Sequence, residues 1–533
     1  MSQTEIKIAG MTCDGCARPL EAALKQAGAA KAEVDWRGGT ARVSGTVDEA
    51  VLDEVLADTR YRVTDIRQAK LRRPGREGNS PTRDYDLIVL GSGGGAFAGA
   101  IRARDLGKRV LMVEHGTTGG TCVNIGCIPS KTLLVSADAA RHPDGPTLAE
   151  AVARKTALVE RLRQSKYVDL LAEYEIEFRH GHGRLTDPHT VEVDGEPATA
   201  EAVLVATGAR PAIPPIQGLE EAGYLTSTTA LDLTTAPPRL AVLGANAVGL
   251  ELGQMLAGFG STVTLIARRD VAPNGEPEIA AELREVLEAE GHTVLAPADT
   301  TEVTVEDGEK VLRGTAGGKA FELPVDEILV ATGRQPNTED LGLEDVGVKT
   351  DEHGTIVVDE EQRTSVASIY ASGDVTSQPR YVYVAARGGA TAVENALGGG
   401  GERLDFAALP QIIFTSPAIA RAGLTEAEAR DRDVEVETRV LPLEAIPRAL
   451  VNGDTRGLFK LVAEGGSGRL LGVSILADGA PDAIQAAVLA IERGMTVDEL
   501  SRTWAPYLAM AEGLKLAAQT FHRDVAKLSC CAA

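Results

Sequence analysis

The chain has 533 residues, 44% apolar and 25% charged, and carries a formal net charge of −23. Such a length holds three or four domains around large cores, while the acidity argues against general nucleic-acid binding and against adhesion to anionic membranes. No apolar run approaches the roughly eighteen residues of a membrane span, and "MSQTEIKIAG" lacks the basic-then-apolar start of a secretory signal, so a cytoplasmic location is expected.

The N-terminal unit, residues 1–68, reads as βαββαβ. "TEIKIAGM" alternates as a strand, and Cys16, Leu20 and Leu24 then recur at helix spacing. "AKAEVDW" and "TARVSG" flank a glycine turn as a hairpin, Val51, Leu52, Val55 and Leu56 mark a second amphipathic helix, and "YRVTDIRQ" closes as a strand. Between the first strand and helix stands "GMTCDGC", whose Cys13 and Cys16 can face one ion, their thiolates favoured by helix N-terminal amides. Paired thiolates select soft ions such as Cu(I), Zn(II) or Hg(II). The stretch resembles the heavy-metal-associated domain, with Tyr61 near the site where that family often carries an aromatic residue or lysine. A thioredoxin-type redox pair is the alternative reading of C-x-x-C. Residues 69–83, polar and rich in charge, glycine and proline, form a flexible linker.

"DYDLIVLGSGGGAFAGAIRARDLGKRVLMVEHG" then runs strand, glycine turn, helix, strand, acid. Gly91, Gly93 and Ala96 let a pyrophosphate approach the helix N-terminus, and Glu114, about twenty residues on, suits a ribose hydroxyl. A second copy, "PPRLAVLGANAVGLELGQMLAGFGSTVTLIARRD", keeps Gly244 and Gly249 but has Asn246 for the middle glycine. Its acid is replaced by Arg268 and Arg269, which favour a 2′-phosphate and hence NADPH, with NADH as an alternative; two solvated arginines at a strand end are the plainer reading.

Between the copies, "GGTCVNIGCIPSKTLL" sets Cys122 and Cys127 five residues apart, ahead of Lys131. With both glycine motifs, "ILVATGRQPN" and "IYASGDV", residues 84 onward resemble the pyridine nucleotide-disulfide oxidoreductase family, class I. The resemblance implies two Rossmann-like domains, FAD-binding over 84–230 and 341–406 and NADPH-binding over 231–340, followed by an α+β dimerisation domain over 407–533. It places FAD at the first site with Asp374 near the ribityl chain, Cys127 against the flavin, Cys122 as the outer exchanging thiol, and Lys131 beside the ring.

Relatives that reduce organic disulfides carry H-P-T-x-x-E near the C-terminus, where histidine protonates the departing thiolate. Here "YLAMAE" puts Tyr507 in its place and keeps Glu512. A phenol with a pKa near about 10 is a poor proton shuttle at neutral pH, which argues against lipoamide or glutathione disulfide as substrate. The chain ends "KLSCCAA", and neighbouring Cα atoms about 3.8 Å apart do not readily bridge Cys530 to Cys531. Taken together, the three cysteine pairs and the missing histidine resemble the mercuric reductase branch of the family. That likeness implies a homodimer with shared sites, taking Hg(II)–thiol complexes or ions handed on by other mercury-binding proteins. Hg(II) would pass from Cys13/Cys16 or solution thiols to Cys530/Cys531 and on to Cys122/Cys127, with Tyr224 and Tyr507 beside the inner ion. Thioredoxin-reductase-like or dihydrolipoamide-dehydrogenase-like enzymes and a non-catalytic metal-binding protein are the alternatives.

Overall fold

The computed structural model describes residues 83–524 and, before them, residues 3–9, 20–21, 24–25, 31–35, 40–44, 56 and 62–68. The expectations for Cys13, Cys16, Tyr61, Cys530 and Cys531 fall outside the described residues. The chain divides into two compact units at residues 82/83.

In the first unit, strand Gln3–Ala9 pairs antiparallel with both Thr40–Ser44 and Arg62–Gln68, and Lys31–Asp35 lies beyond Thr40–Ser44. Leu20 and Leu24, four apart on a helix, are fully buried, as are Ile6 and Ala41; Val43 and Leu56 are nearly so. The strands of the expected hairpin are therefore paired, and of the expected helix faces Leu20, Leu24 and Leu56 are buried, while Cys16, Val51, Leu52 and Val55 lie outside the described residues.

The second unit holds three large sheets, besides a three-stranded meander and a two-stranded pair, Ala209–Pro211 with Arg334–Pro336. In the first, Tyr85–Leu90 lies between Val110–Glu114 and the second half of Glu196–Val205, parallel to both, with Glu177–His180 and Ile369–Ala371 extending the parallel set. The first half of Glu196–Val205 turns antiparallel against Thr190–Val193. Helix Gly94–Asp105 covers one face and a cluster including Leu185, Val191, Leu341 and Ile356 covers the other, so the central strands are buried on both sides and are largely apolar.

The second sheet repeats the design. Arg239–Leu243 lies between Thr262–Ile266 and Glu327–Val330, all parallel, and helix Ala247–Gly258 follows the first of them. Leu225–Thr226, which the sequence reading put in the first domain, pairs with Glu327–Val330 and so belongs to this sheet. An antiparallel meander, Ala298–Glu306, Glu309–Ala316 and Lys319–Val325, interrupts the repeat.

The third sheet is antiparallel, in the order Gln411–Ile413, Ala418–Gly423, Leu470–Ala477, Leu458–Glu464, Val436–Pro442. Helices Ala480–Glu492 and Glu512–Gln519 pack on it through a core containing Phe459, Ile475, Ala487, Leu514 and Ala517. Each fully buried large apolar side chain there stabilises the fold by about 1.5–3 kcal/mol relative to exposure. Helix Glu512–Gln519 comes so close that a Cβ on Gly513 would lie 2.6 Å from the Phe459 ring.

Candidate active site

The first glycine turn builds a cradle. Gly91 has φ +105°, and a Cβ there would lie 2.4 Å from the Ala206 carbonyl oxygen, so only glycine makes the turn. Gly93 caps helix Gly94–Asp105 with no side-chain hydrogen bond and no acid in the first turn, which leaves the helix N–H groups open to an anion. A Cβ at Gly93 would meet nothing nearer than Gly120 Cα at 3.9 Å, so the missing side chain leaves room for a ligand rather than relieving a clash. Ala96 is fully buried in the same helix.

Glu114 is buried at the end of its strand. It accepts from Ser92 Oγ at 2.7 Å and from the Gly116 N–H at 2.6 Å, and keeps lone pairs for ribose hydroxyls. Arg334 lies with Nε 3.4 Å from Asp374 Oδ2, while that buried Nε makes no hydrogen bond. An open helix N-terminus, an empty glycine face and a leftover buried donor fit a flavin dinucleotide.

Cys122 lies on the short helix Gly120–Asn124, and Cys127 opens helix Cys127–Ala140. The two meet because Gly126 permits it: a Cβ there would lie 2.8 Å from the Thr121 carbonyl oxygen and 3.1 Å from Cys122 Cα. Both cysteines are free, Cys122 half-buried and Cys127 reachable by solvent. They share a proton unequally. The hydrogen bond from Cys122 pulls the Cys127 thiol down from 9.0 to about 7, against desolvation and with help from the Lys131 charge. That same bond, with burial, pushes Cys122 far above the ordinary thiol range. The helix N-terminus adds to the preference for a thiolate at Cys127.

Lys131, one turn beyond Cys127, reaches Glu251 Oε2 at 2.5 Å and sits 4.8 Å from the centre of the Phe414 ring. Glu251 comes from helix Ala247–Gly258 of the second sheet and also accepts the Phe414 N–H at 2.9 Å. Sequence reasoning missed Glu251, Phe414 and Arg334. It also missed Tyr381 and Tyr383, whose rings stack 5.3 Å apart at the start of helix Val382–Leu397. Tyr383 donates its hydroxyl to the Pro410 carbonyl, and its own ionisation is raised by burial, then by Tyr381 and Cys127.

In the second glycine turn, Gly244 has φ +106° and a Cβ at Gly249 would lie 1.9 Å from the Gly244 carbonyl oxygen. Asn246 has φ −110° and ψ −170°, close to the extended conformation of Gly93, and its side chain does not cap the helix. Asparagine therefore fits the turn and leaves the N-terminus open. Arg268 is largely exposed, with Nε 3.5 Å from Asp299, beside a cleft of about 460 Å³ lined also by Pro297, Ala298 and Thr315. Arg269 donates to Asn274 at 3.0 Å.

Tyr224 donates to Glu220 Oε1 at 2.9 Å and packs against the second domain's Leu219, Leu243 and Val330. Tyr507 is 56% exposed, and Glu512, buried at the start of its helix, has an Oε2 without a hydrogen-bond partner.

Three family models match the chain. Residues 85–389 match the pyridine nucleotide-disulphide oxidoreductase family, 409–518 its dimerisation domain, and 5–62 the heavy-metal-associated domain. The mercuric reductase of Staphylococcus aureus is 42% identical over 99% of both chains. The chain belongs to the mercuric reductase family. Another relative in this family, the mercuric reductase of Streptomyces lividans, is 50% identical over 84% of this chain and 98% of its own. Among solved structures, the Cu(II) complex of the HOCl-induced flavoprotein disulfide reductase RclA from Escherichia coli superposes with a TM-score of 0.76 at 29% identity, over 82% of this chain and all of that one. Membership in the mercuric reductase family makes the chain an oxidoreductase that uses a flavin and a pyridine nucleotide. Among the described residues no helix is long and apolar enough to cross a membrane.

Proposed function

We propose that the protein is an NADPH- and FAD-dependent mercuric reductase of the cytoplasm, carrying out Hg(II) + NADPH → Hg(0) + NADP⁺ + H⁺. The observation that carries this reading is the unequal thiol pair, one sulfur ionised near neutral pH and the other holding its proton. A soft dication bound there gains one ready thiolate and displaces a proton from the second.

The open helix N-terminus at Gly93, Glu114, Asp374 and Arg334 hold the FAD, and Lys131 lies beside its ring. When bound, the flavin supplies the two-electron link between the nicotinamide and the thiol site. Arg268 and Arg269 take the 2′-phosphate of NADPH. Hg(II) arrives as a dithiolate from small thiols, from other mercury-binding proteins or from Cys13/Cys16. It moves through Cys530 and Cys531 of the partner subunit to Cys122 and then Cys127. Each exchange forms one S–Hg bond and breaks another, the leaving thiolate taking up the proton. Tyr224 and the partner subunit's Tyr507 flank the inner ion. Reduction breaks both S–Hg bonds and leaves two thiolates, which hold Hg(0) poorly. Glu512, at the foot of the Tyr507 segment, positions that segment.

NADPH absorbance, followed with excess small thiol and Hg(II) added last, tests the reading against parallel samples holding lipoamide, glutathione disulfide or oxidised thioredoxin. Consumption with Hg(II) alone is expected, at least about a thousandfold lower in Cys127→Ser and sharply lower in the Cys530→Ala, Cys531→Ala double variant. Turnover with a disulfide and none with Hg(II) would support the second reading, a disulfide reductase, which the RclA likeness favours.

A further inference from the structure

Cys122 rides on a helix of only five residues, Gly120–Asn124, whose N-cap Gly119 offers no side chain. A helix that short does not hold its shape alone. Its start is fixed against the first glycine turn, since a Cβ on Gly120 would lie 2.6 Å from Gly93 Cα. Its end is fixed by Asn124. The Asn124 Nδ2 donates to the Thr118 carbonyl at 3.0 Å and to the Gly120 carbonyl at 2.9 Å, tying the last residue of the helix back to the first. Both amide protons are thus spent, and Oδ1 accepts from Arg163 Nη1 at 3.2 Å.

Arg163 ends helix Leu148–Arg163, and directly after it the chain makes a π turn, Gln164–Val168, before the helix resumes as Asp169–Glu173. Widened turns of this kind are rare and recur at functional sites. This one carries Tyr167, which packs edge-on to Phe97 of the cradle helix with ring centroids 5.0 Å apart. A Cβ on Gly119 would come 3.3 Å from Tyr167 Cγ. Arg163 is half-buried, and among the described residues its one hydrogen bond goes to Asn124 and it meets no carboxylate. The wide turn therefore grips the Cys122 helix at two points, Gly119 through Tyr167 and Asn124 through Arg163.

We propose that Arg163 is a positioning residue for the outer thiol, which by holding Asn124 keeps Cys122 where it can share an ion with Cys127. Arg163 touches neither sulfur. Two thiolates hold an ion better than one only while the second stays in place, and a misplacement of about 1 Å can cost a reaction about a hundredfold. The proposal rests on the reading of Cys122 and Cys127 as the site of Hg(II) reduction. Hydride transfer from NADPH to FAD does not involve Cys122, so the two half-reactions should respond differently to a change at Arg163.

The test uses the full-length holoenzyme in two measurements. One is steady-state NADPH oxidation with Hg(II) and excess small thiol; the other is stopped-flow loss of oxidised-flavin absorbance on mixing with NADPH alone. Arg163→Met, with no donor, is expected to lower kcat for Hg(II) about tenfold or more. Its KM for NADPH and its rate of flavin reduction should stay within about twofold of wild type. Arg163→Lys, which keeps a donor, should recover most of the loss. Ser165→Ala, on the exposed side of the same turn, should match wild type. A wild-type kcat in Arg163→Met overturns the proposal, as does an equal loss in both measurements or an Arg163→Lys no better than Arg163→Met. If Arg163→Met does not fold, Arg163→Gln, too short to reach Asn124, decides in the same way. Wild-type enzyme that reduces its flavin with NADPH but does not turn over Hg(II) would instead overturn the proposed function.

Discussion

Lys131 and Lys460 each leave one domain to meet a carboxylate from another, but their surroundings put the two charges to different use. Lys460, in the middle of strand Leu458–Glu464, has a side chain 1% exposed and binds Glu276 at 2.9 Å and both Glu278 and Glu426 at 2.8 Å. Burial works against its charge, but those three hydrogen bonds outweigh it and hold the amine firmly protonated. Nothing of that charge is left to act elsewhere, and the second and third domains are clamped through it. Lys131 is 32% exposed and has one carboxylate, one aromatic face and a thiol within its field. An incompletely satisfied cation is what a reactive site needs, because the unspent part of its field tunes a neighbour.

If this distinction holds, the largest effect on stability belongs to Lys460. Lys460→Met would leave three carboxylates facing one another in a buried site, a loss of about 3–5 kcal/mol. Thermal unfolding should begin at least about 5 °C lower. The NADPH–Hg(II) turnover of the protein that stays folded should be unchanged. Selective loss of turnover without loss of stability would erase the contrast.

Lys131→Met should do the reverse. Its melting temperature is expected to move little, since a partly exposed ion pair contributes about 1 kcal/mol or less. The thiol, however, loses its nearest cation. Because the Cys127 pKa is lowered in the folded protein, thiolate is present above about 7 and is lost as pH falls through that value. The variant should lose it about one to two units higher, which at pH 7 means roughly tenfold to hundredfold slower alkylation of Cys127.

Much of this was legible in the sequence, for a physical reason. The glycine turns lie in contiguous stretches where spacing and local chemistry coincide, while Cys122, Cys127 and Lys131 were legible through the family resemblance that their contiguous motif carries. Glu251 was not legible because its partner is 120 residues away and the contact exists only once two sheets pack. One signal was available: "AVGLELGQMLAG" is a helix of small and apolar residues with a single carboxylate and a single amide, three apart, and both turn out buried. Lys460 escaped for a similar reason. Two-residue alternation would have put it opposite Phe459 and in water, but strand Leu458–Glu464 is buried on both faces. The first-unit helix face through Leu20 and Leu24 was readable because its period and its burial agree.

The smallest expected effect bears most directly on the comparison, because it has a sign. Glu251 raises the Cys127 pKa and Lys131 lowers it, the lysine by the larger amount. Glu251→Gln removes the opposing charge and keeps an oxygen for the Phe414 N–H. The Cys127 midpoint should therefore fall, by about a few tenths of a pH unit, and the acid limb of thiol alkylation should move to lower pH. A clamp behaves differently. If Glu251 served chiefly to hold Lys131 in place, as the carboxylates around Lys460 hold that amine, its loss would let the lysine swing into solvent and the midpoint would rise. A downward shift makes the Lys131–Glu251 pair a balance of opposing fields at one sulfur. An upward shift would make it a second, weaker clamp, with the tuning of Cys127 assigned to the helix N-terminus and the Cys122 hydrogen bond alone.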